Sequence, residues 1–151
     1  MIKNLHVNPA KHISLNKKNF HTVISQLKKV LQFQINSLDI NIVNKEYILE
    51  LNKNFLNHNY TTDIITFNYS EDNVGLDGEI FISLHDAINN AKRFGVSLDT
   101  EILRLIIHGV LHLVGYDDIS SDKKRIMKRK ENKLVELFKN QNLVFIKKKY
   151  D

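Results

Sequence analysis

The residues best equipped for chemistry stand close together, at His108, His112, Asp117 and Asp118. The two histidines are spaced i, i+4, so on a helix their imidazoles can converge on one ion. Gly115, three residues after His112, can take a positive φ, end a helix and turn the chain back. Asp118 stands three residues further on, placed to return as a third ligand. Asp117 is the competing carboxylate, but the spacing favours Asp118. Asp117 then has other work, capping the next helix or hydrogen-bonding a ligand imidazole. The chain has no cysteine, so a zinc ion here rests on His, Asp or Glu alone. Three protein ligands leave a fourth zinc position open for water, the arrangement of a catalytic site.

The segment around the histidines is apolar almost all round. Ile102, Leu103, Leu105, Ile106, Ile107, Val110, Leu111, Leu113 and Val114 point in nearly every direction about a helix axis. Such a helix is a buried one. Glu101, Arg104, His108 and His112 nevertheless share one stripe, within roughly 80° at ~100° per residue. Buried without partners these groups would be costly, and a cleft or a bound cation relieves that cost. Arg104, one turn before His108, has two readings: an ion pair with Glu101, or a contact to a substrate phosphate.

The spacing H-x-x-x-H-x-x-G-x-x-D is similar to that of the zincins with a turn-borne third ligand, H-E-x-x-H-x-x-G-x-x-H. The glutamate of that layout is missing, and Gly109 stands in its place. This speaks against a peptidase and for other chemistry at a similar ion. Glycine inside a helix costs ~1 kcal/mol against alanine. It lets another backbone or a substrate come near.

The elements that must position this helix read clearly. Ile2 to Val7 is expected as a first strand, and Leu15 to Leu31 as a helix with Phe20, Val23, Ile24, Leu27, Val30 and Leu31 at helical spacing. Leu38, Ile40 and Ile42 alternate with polar residues as a half-buried strand. Glu46 to Phe55 is a second helix, with Tyr47, Ile48, Leu51 and Phe55 on one side. Polar residues 57–63 lead into a strand at Ile64 to Phe67, and turn-rich residues 70–77 into another at Gly78 to Leu84. His85 to Phe94 forms a helix stopped by Gly95, and Ser97 caps the histidine-bearing helix. Ser120 or Ser121 caps a last helix with Ile126, Met127, Leu134, Leu137 and Phe138 inward. The fold expected is α/β (α+β), one small mixed sheet of about four strands packed with five helices and carrying a zincin-like metal helix. The chain reads as a single domain over residues 1–151, with a basic tail from about residue 139.

Net charge is +5 but unevenly spread. Residues 1–120 carry 11 Lys and Arg against 13 Asp and Glu; residues 121–151 carry 11 against 4. A cationic surface beside a cleft draws in polyanions such as RNA. The plainer reading is a solvated helix face and a frayed tail. Lys123, Lys124, Arg125, Lys128, Arg129 and Lys130 crowd the last helix just after the metal turn, so with Arg104 they are the candidate RNA contacts. No apolar run approaches the ~20 residues of a membrane span, and the first residues lack a signal-peptide core. A cytoplasmic protein with no membrane partner is expected.

The run HGVLHLVGYD, His108 to Asp117, resembles the signature of the YbeY endoribonucleases, bacterial 16S rRNA maturation factors. Leu51-Asn52, then Thr62-Asp63-Ile64-Ile65-Thr66-Phe67, and Gly78-Glu79-Ile80-Phe81-Ile82-Ser83 resemble further stretches of that family in the same order. The resemblance implies one α/β domain holding one Zn2+ on three residues, which carries over to His108, His112 and Asp118. It implies a zinc-dependent, single-strand-specific endoribonuclease acting in 16S rRNA 3′-end maturation and ribosome quality control. Its partners would be the 16S rRNA precursor and the ribosomal small subunit or its proteins. No catalytic group beyond the metal-bound water is identified.

Two departures stand out. The third ligand is usually histidine in the family and is Asp118 here. A negative ligand makes the bound water somewhat less acidic and shifts metal preference. The family also often carries an arginine after the aromatic residue of the Leu-Asn segment, where this chain has Leu56 after Phe55. Lys53, His58 or Arg104 are the candidates to supply the missing cation. That loss motivates an alternative: a ribosome-assembly factor that binds rRNA and ribosomal proteins with little catalytic activity.

Overall fold

The computed structural model describes residues 1–56, 62–71 and 75–147. Its order is β1 (Leu5–Pro9), α1 (Lys17–Leu31), β2 (Gln34–Val43), α2 (Lys45–Leu56), β3 (Ile64–Asn68), β4 (Gly75–Ser83), α3 (Leu84–Phe94), α4 (Leu98–Leu113) and α5 (Ser121–Leu137). This is the α+β fold expected: four strands in one mixed sheet with five helices. The strands lie in the order β1-β2-β4-β3. β1 and β4 run parallel to β2, and β3 pairs antiparallel with β4.

Strand alternation gives the sheet two unlike faces. Leu5, Val7, Leu38, Ile40, Leu76, Ile80 and Ile82 join Phe20, Ile24 and Leu27 of α1 and Ile106, Ile107, Val110 and Leu111 of α4 in the main core. On the opposite face Val43, Ile65 and Phe81 make a smaller cluster with Ile48 of α2. Beyond it that face is polar: His6 meets Asp39 at 3.1 Å, and Asn8 donates to Asn41 at 2.9 Å.

Gly109 is the packing point between α4 and the sheet. A Cβ there would lie 2.8 Å from Ile80 Cδ1 and 3.1 Å from its Cγ1 and Cγ2. A neighbour does come close, but it is an isoleucine side chain of β4 rather than backbone or substrate.

Ser83, Ser97 and Ser120 cap α3, α4 and α5 by accepting from the backbone N–H of Asp86, Thr100 and Lys123. Strand starts and one helix face differ from expectation. β1 starts at Leu5, because Ile2 donates its N–H to His21 Nδ1 instead of joining the ladder. β4 starts at Gly75, because Leu76 enters the core opposite Ile35 in a stretch that reads as a turn. On α5, Ile126 and Leu137 are 56% and 51% exposed, since the inward stripe is Met127, Glu131, Leu134 and Phe138.

The basic tail is not frayed over its described part. Asn16 N–H donates to Phe145 O at 2.8 Å, Lys147 N–H to Ser14 O at 2.9 Å, and Leu15 bridges Ile146. Phe145 is fully buried, edge-on to Phe20 with ring centroids 5.0 Å apart. Burying such a ring contributes about 1.5–3 kcal/mol, which holds the segment despite the charge around it. Residues 148–151, which complete the basic run, and His58 lie outside the described residues.

Candidate metal centre

α4 is buried against the sheet, α3 and α5, and its residues Glu101, Arg104, Leu105 and His108 line a cleft. His108 and His112 have ring centroids 4.8 Å apart. Gly115 takes φ 111° and returns the chain, so Asp118 comes back beside the rings. Ligand atoms of His108, His112 and Asp118 all lie within 4.8 Å of one another, a group that could hold a metal ion. Tetrahedral zinc bonded at 2.0–2.2 Å would hold its ligand atoms about 3.4 Å apart. Asp117 turns aside: its Oδ1 accepts from Ile119 N–H at 3.1 Å and its Oδ2 lies 3.4 Å from Lys123 Nζ. It steadies the turn rather than capping α5, whose cap is Ser120.

Glu131 of α5 is the residue that sequence reasoning missed. Its side chain is 4% exposed, and its Oε1 lies 2.7 Å from His108 Nδ1. Its Oε2 accepts from Arg104 at 2.6 Å and from Lys128 at 3.2 Å. Burial pushes the carboxyl up, but the hydrogen bonds from His108 and Arg104 and the charge of Lys128 outweigh it and bring the pKa down to about 2. A carboxylate on Nδ1 orients the imidazole and leaves Nε2 to a metal, the arrangement seen behind ligating histidines generally. One sign was available in the sequence: Glu131 sits at helical spacing between Met127 and Leu134, a charge on an apolar stripe.

Arg104 therefore pairs not with Glu101 but with Glu131, and it also donates to Asn132 at 2.8 Å. Glu101, 3% exposed, accepts instead from Asn90 at 3.2 Å. Burial raises the Glu101 pKa, and the nearby Asp63 carboxylate adds to the rise against the Asn90 hydrogen bond. His112 is shifted the other way: burial, then the adjacent His108, lower its pKa against the pull of Asp118. A neutral His112 is ready to ligate without first losing a proton.

The stripe opens on a cleft of about 930 Å³. Its wall on the α5 side carries Lys124, Arg125, Lys128 and Arg129, and Arg104, His108 and Asp118 also line it. Lys123 does not line it and pairs with Asp117. Arg125 is paired with Asp122. Lys53 is not among the cleft residues, and Leu56 ends α2 exposed. Among the described residues no helix is long and apolar enough to cross a membrane.

A family profile described as "Endoribonuclease YbeY" matches residues 4–139. Similar proteins include an "Endoribonuclease YbeY" from Cytophaga hutchinsonii, 35% identical over 123 residues, which are 82% of this chain and 86% of that one. Another of that name, from Karelsulcia muelleri, is 42% identical over 116 residues, 77% of this chain and 76% of that one. A third, from Chlorobaculum tepidum, is 43% identical over 98 residues, 65% and 71% respectively. A solution structure from Thermotoga maritima superposes with a TM-score of 0.61 at 27% identity, covering 87% of each chain.

Proposed function

The chain belongs to the endoribonuclease YbeY family, and on that premise we propose that it is a zinc-dependent endoribonuclease of single-stranded RNA. The observation that carries the reading is the grouping of His108, His112 and Asp118, of which His108 and Asp118 line a cleft walled by cations. His and carboxylate donors are ordinary zinc ligands, and three of them fit an ion with one open position. When bound, such an ion would act as a Lewis acid, lowering the pKa of a bound water toward ~7 and polarising a phosphoryl oxygen.

The chain's own residues do the rest. Glu131 fixes the His108 ring, and the depressed pKa of His112 keeps its lone pair available. Lys124, Lys128 and Arg129 hold the RNA backbone by charge, which positions a strand without reading its sequence. In the same proposal the substrate is the 16S rRNA precursor at its 3′ end. The partner is the ribosomal small subunit, the setting is the cytoplasm, and residues 1–151 act as one unit. The return of Phe145 onto α1 supports that last point.

The test is cleavage of single-stranded RNA by purified protein, with and without chelator, alongside metal analysis. Wild type is expected to cut only when loaded, and His112→Ala to lose metal and cleavage together. Undiminished cutting by metal-free His112→Ala protein refutes the mechanism.

One observation favours a second reading, an assembly factor that binds rRNA and ribosomal proteins but cuts poorly. Leu56 supplies no cation, and the best-placed substitute, Arg104, is already held by Glu131 and Asn132. Loaded protein that binds RNA tightly yet leaves it intact would establish that reading.

A further inference from the structure

The cleft has a second end, away from the metal residues and of different chemistry. There it is lined by Asp63 at the start of β3, by Asn90, Arg93 and Phe94 of α3, and by Glu101 at the start of α4. Asn90 Nδ2 donates to Asp63 Oδ2 at 3.0 Å and to Glu101 Oε2 at 3.2 Å. The amide thus spends its donors on the two carboxylates and ties three elements together. Asp63 is pinned as well through its backbone, whose carbonyl accepts from Ser83 N–H at 2.9 Å. Asp63 and Asn90, both half-buried, remain at the cleft in fixed positions, with Glu101 buried behind them. Beside them Phe94 is 60% exposed, an aromatic ring left uncovered at the cleft edge, with the Arg93 guanidinium 6.0 Å from its centroid.

A flat ring next to a guanidinium, with hydrogen-bonding groups at fixed positions alongside, is how proteins hold an unstacked base of single-stranded RNA. We infer that this end of the cleft is a nucleobase subsite, in which a base stacks on Phe94 and presents its edge to the Asp63 carboxylate, which Asn90 and the buried Glu101 hold in place. The inference rests on the RNA reading above. Acceptors demand donors, so the subsite takes bases with an exocyclic amino group. Cytosine N4, adenine N6 and the N1–H and 2-amino group of guanine all satisfy a carboxylate. Uracil offers one ring N–H flanked by two carbonyl oxygens, which face the protein's own acceptors and lose hydration without replacement. Glu101 and His108 lie seven residues apart on α4, about 10 Å along its axis. The base held here therefore belongs to a nucleotide neighbouring the scissile phosphate, which the basic wall would hold. Asp63 and Phe94 act as specificity-determining residues, not as catalytic ones.

The experiment uses the full, metal-loaded chain. Single-stranded oligoribonucleotides of one sequence are cut with uracil, cytosine, adenine or guanine at each position flanking the cut. Inosine replaces guanine, and purine riboside adenine, to delete the amino group alone. At one flanking position amino-bearing bases should be cut roughly tenfold faster than uracil, as one good hydrogen bond allows. Asp63→Asn and Phe94→Ala should flatten that ratio; Phe94 is exposed, so its variant tests the site without disturbing the core. Binding of GMP, CMP, AMP and UMP to the same protein is measured in parallel. Cleavage with equal rates for all bases overturns the subsite and leaves the nuclease standing. Should no RNA be cut, the nuclease reading fails, and the nucleotides decide the subsite: preference for the amino-bearing ones upholds it, equal or absent binding overturns it.

Discussion

His108 Nδ1 and Glu131 Oε1 lie 2.7 Å apart, joining the metal helix to α5 through a carboxylate that is almost wholly buried. The same carboxylate holds Arg104 and Lys128 on its other oxygen, so one group fixes both the ligand's orientation and part of the basic wall.

Glu131→Gln keeps the shape and removes the charge. The amide can donate to the imidazole as well as accept, so the tautomer that leaves Nε2 free is no longer enforced. Zinc affinity should fall by about 10- to 100-fold, the range for losing such a supporting partner. Competition against a chromophoric chelator at pH 7 measures it, and unchanged affinity would show that Glu131 does not steer His108.

The same pair sets an acid limit. The folded pKa of Glu131 is about 2, below the ordinary 4.5. A depressed carboxylate pKa stabilises the fold fully above about pH 4.5, and that contribution disappears as pH falls toward 2. Denaturant midpoints in chelator across this window should drop more steeply for wild type than for Glu131→Gln. Parallel curves would contradict the assigned hydrogen bonds.

Asp118 and Asp117 are separable by substitution. Asp118→Ala removes a ligand and should weaken zinc binding by more than about 100-fold, beyond the usual effect of a supporting residue. Asp118→His keeps a donor and should retain the ion. Asp117→Ala loses only the bonds to Ile119 and Lys123, so less than about tenfold is expected. The reverse order, read by calorimetric titration, would move the third ligand to Asp117.

Gly109→Ala tests the contact between α4 and β4. Alanine gains ~1 kcal/mol in helix propensity, but its Cβ would sit 2.8 Å from Ile80 Cδ1 in a fully buried position. Overpacking costs typically ~1–3 kcal/mol, so net destabilisation is expected. Ile80→Val, which lacks the nearest atom, should recover part of it in a double-mutant cycle.

Phe145→Ala should cost about 3–5 kcal/mol, as for other buried aromatic truncations. Thermal unfolding checks it, and a change below ~1 kcal/mol would mean that the C-terminal segment is dispensable to the core.

What could be read in advance depended on range along the chain. The i, i+4 histidines, the glycine turn and the serine caps are local patterns whose physics is contained within a few residues. Eight of the nine elements start within three residues of expectation, and β2 extends back to Gln34 ahead of its alternating stretch. The partners of Arg104 were not local. Glu101 lies near it in sequence and on the same helical stripe, yet Glu131, 27 residues away, provides the bond. That choice depends on how α5 crosses α4, which no periodicity encodes. Leu76 and Phe145 were hidden for another reason: Leu76 lies in a turn-rich stretch, and Phe145 belongs to an apolar run of only four residues, Leu143 to Ile146, ahead of a run of lysines, too short to mark an element until a core is there to receive it.

The clasp at Phe145 also bears on when the molecule is finished. Asn19 Nδ2 donates to Val144 O across 125 residues at 2.7 Å, so α1 is sealed by chain made long after it. On a ribosome adding about 5–20 residues per second, the greasy flank of α1 waits for several seconds before its cover emerges. During synthesis that flank is a natural landing place for a holdase chaperone, and messages broken late in the reading frame would yield chains that are nearly full length yet never close.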